Sequence, residues 1–166
     1  MKKFTFFAAI AMIAFTTNAV AQATATGTST TTVIAPITIT AVNDLAFGNV
    51  TEDGTGGTVT VTAAATAAAT GASGAQAVDG TVTAGSFDVT GQAANVYTIT
   101  VPAASATLTG ALVSAPTITV SGFTSNIAEG TIGTADTFYV GALITLGTDQ
   151  LPDTYSGTYP VTVQYK

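Results

Sequence analysis

The stretch NVTEDGTGG, Asn49 to Gly57, sets three hard oxygen donors within five positions: the Asn49 amide and the carboxylates of Glu52 and Asp53. Donors of that kind suit calcium. The spacing is nothing like the twelve-residue loop of an EF-hand, and the surrounding glycines mark an exposed turn, which is the expectation here. A pair of carboxylates can also hydrolyse a glycoside. All nine carboxylates, however, stand in or beside turn-forming stretches, where they solvate loops, and there is no Trp to stack on a sugar. Tyr97, Tyr139, Tyr155, Tyr159 and Tyr165 could together form a sugar platform. Most alternate in phase with apolar neighbours, so packing is the expected role. The chain has no His, no Cys and no Arg. That removes Ser–His and Cys–His nucleophiles, imidazole and thiolate metal ligands, and bidentate anion clamps. The expectation is a non-enzymatic protein with no catalytic residue, no metal and no cofactor.

Chemistry being scarce, the positioning elements carry the information. Lys2 and Lys3 open the chain, followed by the apolar run Phe4 to Phe15 and the small-residue pair Ala19 and Ala21. The run is too short to span a bilayer, and the pattern is that of a secretory signal peptide over residues 1–21, cut before Gln22. No Cys follows it to carry a lipid. With the leader removed, one lysine stands against nine carboxylates, a formal charge of −8. Such a surface repels phosphate backbones and anionic headgroups, so no nucleic-acid partner is expected. No later segment is long and apolar enough to span a membrane as a helix. An exported chain without Cys owes nothing to disulfides. Thr, the commonest residue, takes the place of charge: its hydroxyl wets an outer face while its branched Cβ favours strand.

Gln22 to Thr32 is small, polar and uncharged and reads as a flexible N-terminal arm. From Val33 onward, about nine short runs alternate apolar and polar residues, separated by Gly, Pro, Asn and Asp. They include Val33–Val42, Thr58–Ala63, Val96–Pro102, Thr137–Gly147 and the closing Tyr159–Tyr165. Pro36 argues for an edge position or a bulge, and Gly141 for a bulge or a close backbone approach. Ala64–Val78 has no apolar stripe and no cap, and is expected to be a loop or extended crossing with at most a helical turn. The pattern predicts one all-β domain over residues 33–166, an antiparallel β-sandwich or barrel. No helix pattern alternates with the strands, and no internal repeat is visible.

Several motifs in order carry a family resemblance. Pro36-Ile-Thr-Ile through Asp44-Leu-Ala-Phe-Gly48, Gly85 to Gly91, Tyr97 to Pro102, Val140 to Gly147 and Gly157 to Tyr165 resemble the domain-of-unknown-function family 4402. That family is similar to the spore-coat-U and chaperone–usher pilin domains of Gram-negative bacteria. The resemblance implies an immunoglobulin-like sandwich lacking its last strand. It also implies a periplasmic chaperone that fills the gap for a time, an outer-membrane usher, and a surface fibre in which the next copy's N-terminal arm fills the gap permanently.

Tyr159, Val161, Val163 and Tyr165 are then the expected wall of an assembly groove. Ala23, Ala25, Gly27, Ser29, Thr31 and Val33 are the expected inward positions of a donor arm. The residues strain against the implication in one respect: a donor should carry bulky apolar side chains, and Val33 is the first in this arm. The other reading is a self-sufficient secreted or surface-associated domain that binds sugar or protein, with the arm only a linker.

Overall fold

The computed structural model describes residues 21–133 and 136–166. The signal peptide expected over residues 1–21 lies outside them apart from Ala21. The chain divides into two units, Met1–Thr32 and Val33–Lys166. In the first, residues 21–32 are exposed and form neither helix nor strand.

The second unit is all-β. Thirteen strands occur among the described residues: β1 (Thr38–Asn43), β2 (Ala46–Glu52), β3 (Gly57–Val61), β4 (Ala69–Ala72), β5 (Ala75–Thr83), β6 (Gly85–Thr90), β7 (Val96–Thr100), β8 (Ala106–Gly110), β9 (Ile118–Ser125), β10 (Glu129–Thr131), β11 (Thr137–Leu146), β12 (Tyr155–Ser156) and β13 (Thr162–Tyr165). Every ladder is antiparallel. The large sheet runs β1–β6–β11–β9–β8–β12, with β3 on β11 and β4 outside β3. A second sheet runs β10–β7–β13, and β2 pairs with β5 alone. These layers make an antiparallel sandwich, the architecture expected from the short alternating runs.

The alternation fixes which side chains meet between the layers. Along β11, Phe138, Val140, Ala142, Ile144 and Leu146 are buried while Thr137 and Thr145 are exposed, the period of two that a pleated strand imposes. Val59, Val89, Tyr97, Phe138 and Val140 are fully buried in one cluster. Each apolar side chain of this size contributes about 1.5–3 kcal/mol by leaving water. Outside, the registers set Thr107 beside Thr119 and Thr119 beside Thr145. All three are exposed, so hydroxyls cover a face that carries almost no charge.

At Gly141, β11 changes neighbour. Thr137–Val140 pairs with β6, whereas Ala142–Leu146 pairs with β3, and the register with β9 shifts between Gly141 and Leu143. A Cβ here would run into the Val61 carbonyl oxygen and lie 2.6 Å from the Ala63 nitrogen. The glycine thus marks both a bulge and a close approach. Pro36 precedes β1, and β1 is the edge strand of the large sheet.

Ala64–Val78, expected as a loop or extended crossing, is extended over much of its length but is also paired. It contains β4 and the start of β5, joined by a tight turn in which Ser73 (φ 56°) and Gly74 (φ 88°) are both left-handed. Pairing of Ala69–Ala72 with Val61–Thr58 overrides the helical preference of alanine. A glycine is required at position 71, because a Cβ there would strike the Ala75 carbonyl oxygen.

Candidate functional site

A groove of about 1170 Å³ lies within the second unit. Its floor is the inward face of the large sheet: Leu108 from β8, Ile118 and Val120 from β9, and Ile144 and Leu146 from β11. These positions alternate with the outward threonines, so the pattern that builds the core also makes the floor apolar.

Two walls stand over that floor. One is formed by every residue from Asn43 to Glu52, the other by every residue from Gln150 to Tyr159. A paired strand presents only alternate residues to one side. Walls in which consecutive residues all face the cavity expose their backbone edges to it. Among the described residues, no ladder or other backbone hydrogen bond joins the two walls.

Local chemistry shapes each wall. On the first, β2 has register shifts against β5 on both sides of Asn49, with Gly48 at φ 71°. On the second, the Gln150 side chain donates to the Pro116 carbonyl (2.9 Å) and the Tyr155 hydroxyl (2.7 Å), which itself donates to the Leu151 carbonyl (2.7 Å). Asp153 accepts from the Leu112 amide at 2.7 Å. Gly157 presses against the Thr107 carbonyl, and there the chain leaves β8 (Ser156 beside Thr109) and crosses to β7 (Thr162 beside Thr100).

Tyr159 stands at the end of the second wall. Its ring stacks on Phe123 (centroids 5.0 Å apart) and meets Phe87 edge-on (6.3 Å), and its hydroxyl abuts Gly85 of β6. The side chain therefore crosses the space between the layers. Burial, reinforced by the nearby Asp44 carboxylate, pushes its hydroxyl up to about 12. The unfolded chain releases that proton near 10, so the stability linked to it is complete below pH 10 and is lost as pH climbs to 12. Tyr97 is raised by burial and by Asp136 and acts in the same sense. Tyr159→Phe is expected to move the midpoint of alkaline unfolding upward, followed by circular dichroism. An unchanged midpoint would remove Tyr159 from that account.

The four residues expected to form the groove wall divide. Tyr159 lines the groove, whereas Val161, Val163 and Tyr165 do not; they are half-buried and pack on the core. The reason is the crossing at Gly157, after which the chain pairs with β7 and its inward side chains meet the sandwich interior. Tyr165 instead anchors the chain. Its hydroxyl donates to the Ala35 carbonyl (2.8 Å) and accepts from the Gln92 amide (2.7 Å). The arm positions Ala23, Ala25, Gly27, Ser29 and Thr31 are exposed, and Val33 is 90% exposed.

The calcium donors serve their own loop. Glu52 accepts from the Gly54 and Gly56 amides (2.6 and 3.4 Å). Asp53, held below the usual carboxylate range by Thr55, accepts that residue's hydroxyl and amide. Asn49 donates to Asp79 at 2.6 Å. Among the described residues no three His, Cys, Asp or Glu side chains are grouped to hold a metal ion. Tyr97, Tyr155, Tyr159 and Tyr165 pack into or against the core and form no common platform.

The family model described as a domain of unknown function (DUF4402) matches residues 37–165. The chain belongs to the DUF4402 family. No curated protein and no solved structure matches it. The DUF4402 match takes in the whole floor of the groove and both walls, so the cavity is built entirely from family-matched sequence. It begins after the exposed arm and after Val33 and Ile34.

Proposed function

We propose that this chain is a non-enzymatic structural subunit of a bacterial surface fibre, exported through the periplasm and assembled by exchange of an N-terminal strand between copies. The likeness of the family's motifs to spore-coat-U and chaperone–usher pilin domains supports the reading, but one observation carries it. The groove is bounded by two ten-residue walls that offer backbone edges over an apolar floor. Such an edge is a liability in water, and an added strand is its remedy. Gln22 to Thr32, eleven residues, reaches about 36 Å when extended, the span of a ten-residue wall. With small side chains on the arm, main-chain hydrogen bonds to the walls carry the contact, each worth about 0.5–1.5 kcal/mol net. Before assembly, a periplasmic chaperone supplies the missing strand and an outer-membrane usher passes the subunit on.

The test compares the precursor with a version lacking residues 22–32, expressed in a Gram-negative host. The surface fraction is run on a denaturing gel with and without boiling. The intact protein is expected to give a ladder that collapses to one band on boiling, and the truncated protein to give none. A monomer band under both conditions, with truncated and intact proteins melting alike, would overturn the reading in favour of a self-sufficient domain.

A further inference from the structure

The second unit has two exposed apolar ends. At one, Leu112, Val113 and Leu151 are 54, 108 and 40% exposed. They are held together, since Asp153 fixes the Leu112 amide, the Thr154 carbonyl accepts from the Ala111 amide, and the Leu151 carbonyl accepts from Tyr155. At the other, Val33, Ile34 and Val96 are 90, 44 and 40% exposed. Ile34 and Val96 share a shallow cleft with Tyr165 and Lys166. The closing run of chain separates the ends. Tyr155 pairs with Gly110 beside the first, and Tyr165 pairs with Tyr97 beside the second. The ten residue steps from Tyr155 to Tyr165 extend about 33 Å. Single exposed hydrophobes need no explanation; clusters fixed at opposite ends do.

We infer that the end bearing Leu112, Val113 and Leu151 is a docking surface for a second copy of this chain, which meets it with its own Val33, Ile34 and Val96. The inference rests on the strand-exchange reading for what brings the copies together. Tyr159, the last residue of its wall, lies across the groove with its ring against Phe123 and Phe87. An arm entering the groove therefore points its free end toward Tyr159 and keeps its folded body at the Gln150–Pro152 end. Eleven residues cover a ten-residue wall with almost none to spare, so that body begins, at Val33, where Leu151 stands.

Charge agrees with the docking. The Leu112 end carries Asp149 and Asp153, while the Val33 end carries Lys166, the only cationic side chain among the described residues, paired with Glu129 at 2.8 Å. In a chain of net charge −6, that is the end where a carboxylate is already neutralised. A contact between unlike ends does not close on itself, so it propagates as a filament.

The test uses the absence of native Cys. Precursors carrying Val113→Cys and Val33→Cys are co-expressed, oxidised at the surface, boiled without reductant and run on a gel. The mixed pair is expected to cross-link several-fold more than Val33→Cys with Thr60→Cys, an exposed position in mid-sheet, and more than Val113→Cys with itself. A boiling-sensitive ladder with mixed cross-linking no higher than these controls would overturn the docking and leave strand exchange standing. Loss of both ladder and cross-link would overturn both. Cross-linking without a ladder would uphold the end-to-end contact and overturn strand exchange alone.

Discussion

Gly141→Ala is expected to lose about 3 kcal/mol or more, the upper end of overpacking costs, and to lower the melting temperature by roughly 10 °C. The reason is the kind of atom in the way. The added methyl would meet the Val61 carbonyl oxygen, the Ala63 nitrogen at 2.6 Å and the Thr62 carbonyl carbon at 2.7 Å. All are backbone, and none can turn aside as a side chain would. The residue also sits where β11 exchanges β6 for β3, so relief by strand movement would break ladders on both sides. Gly27→Ala, with nothing within 4 Å of its Cβ position, is the matched control and should melt like the native protein. Thermal unfolding followed by circular dichroism decides it; equal melting temperatures for Gly141→Ala and the native protein would show that the close approach is not a constraint.

Phe138→Ala is expected to cost about 3–5 kcal/mol, the range for deleting a buried phenyl ring. Phe138 has no exposed surface and stacks on Phe87 at 5.4 Å, which meets Tyr159, which stacks on Phe123. The four rings form a continuous row from the centre of the large sheet to the Tyr159 end of the groove wall. Removing the first therefore withdraws support from Tyr159 as well as volume from the core. Chemical denaturation should show a midpoint shift with little change in slope. A loss below 1 kcal/mol would mean that the neighbouring rings collapse into the space, and the row would then not be a rigid support.

The alternating strands were readable because a pleated chain buried on one side repeats its chemistry every second residue. β8, β9 and β11 carry that signal plainly, and Gly141 announced its own constraint by interrupting an otherwise apolar run. In the Ala-rich segment an extended course was readable, but its pairing was not. Gly71 there reports a lack of room against Ala75, and the Ser73-Gly74 turn was its one local sign. The groove was legible only in part. Periodicity shows that Leu108, Val120 and Ile144 turn inward, but not that they floor a groove. Its walls, residues 43–52 and 150–159, lie about a hundred positions apart, and no local pattern joins them. Val161, Val163 and Tyr165 have the inward alternation of a wall, yet the crossing at Gly157 carries the chain to pair beside β7 instead.

The Tyr165 clamp has a mechanical consequence. A pull on the arm enters the sandwich near Ala35, whose carbonyl is held by Tyr165, and then β1, whose ladder joins Thr38 to Thr90 and Ile39 to Val89. The load runs along β1, across the direction of its hydrogen bonds. Those bonds are therefore strained together in shear instead of parting one at a time like a zip. The tyrosine, bonded to Gln92 on the β6–β7 turn as well, shares the tension with a second part of the chain before β1 carries it alone. The arm is thus moored to the body at a point built to bear traction.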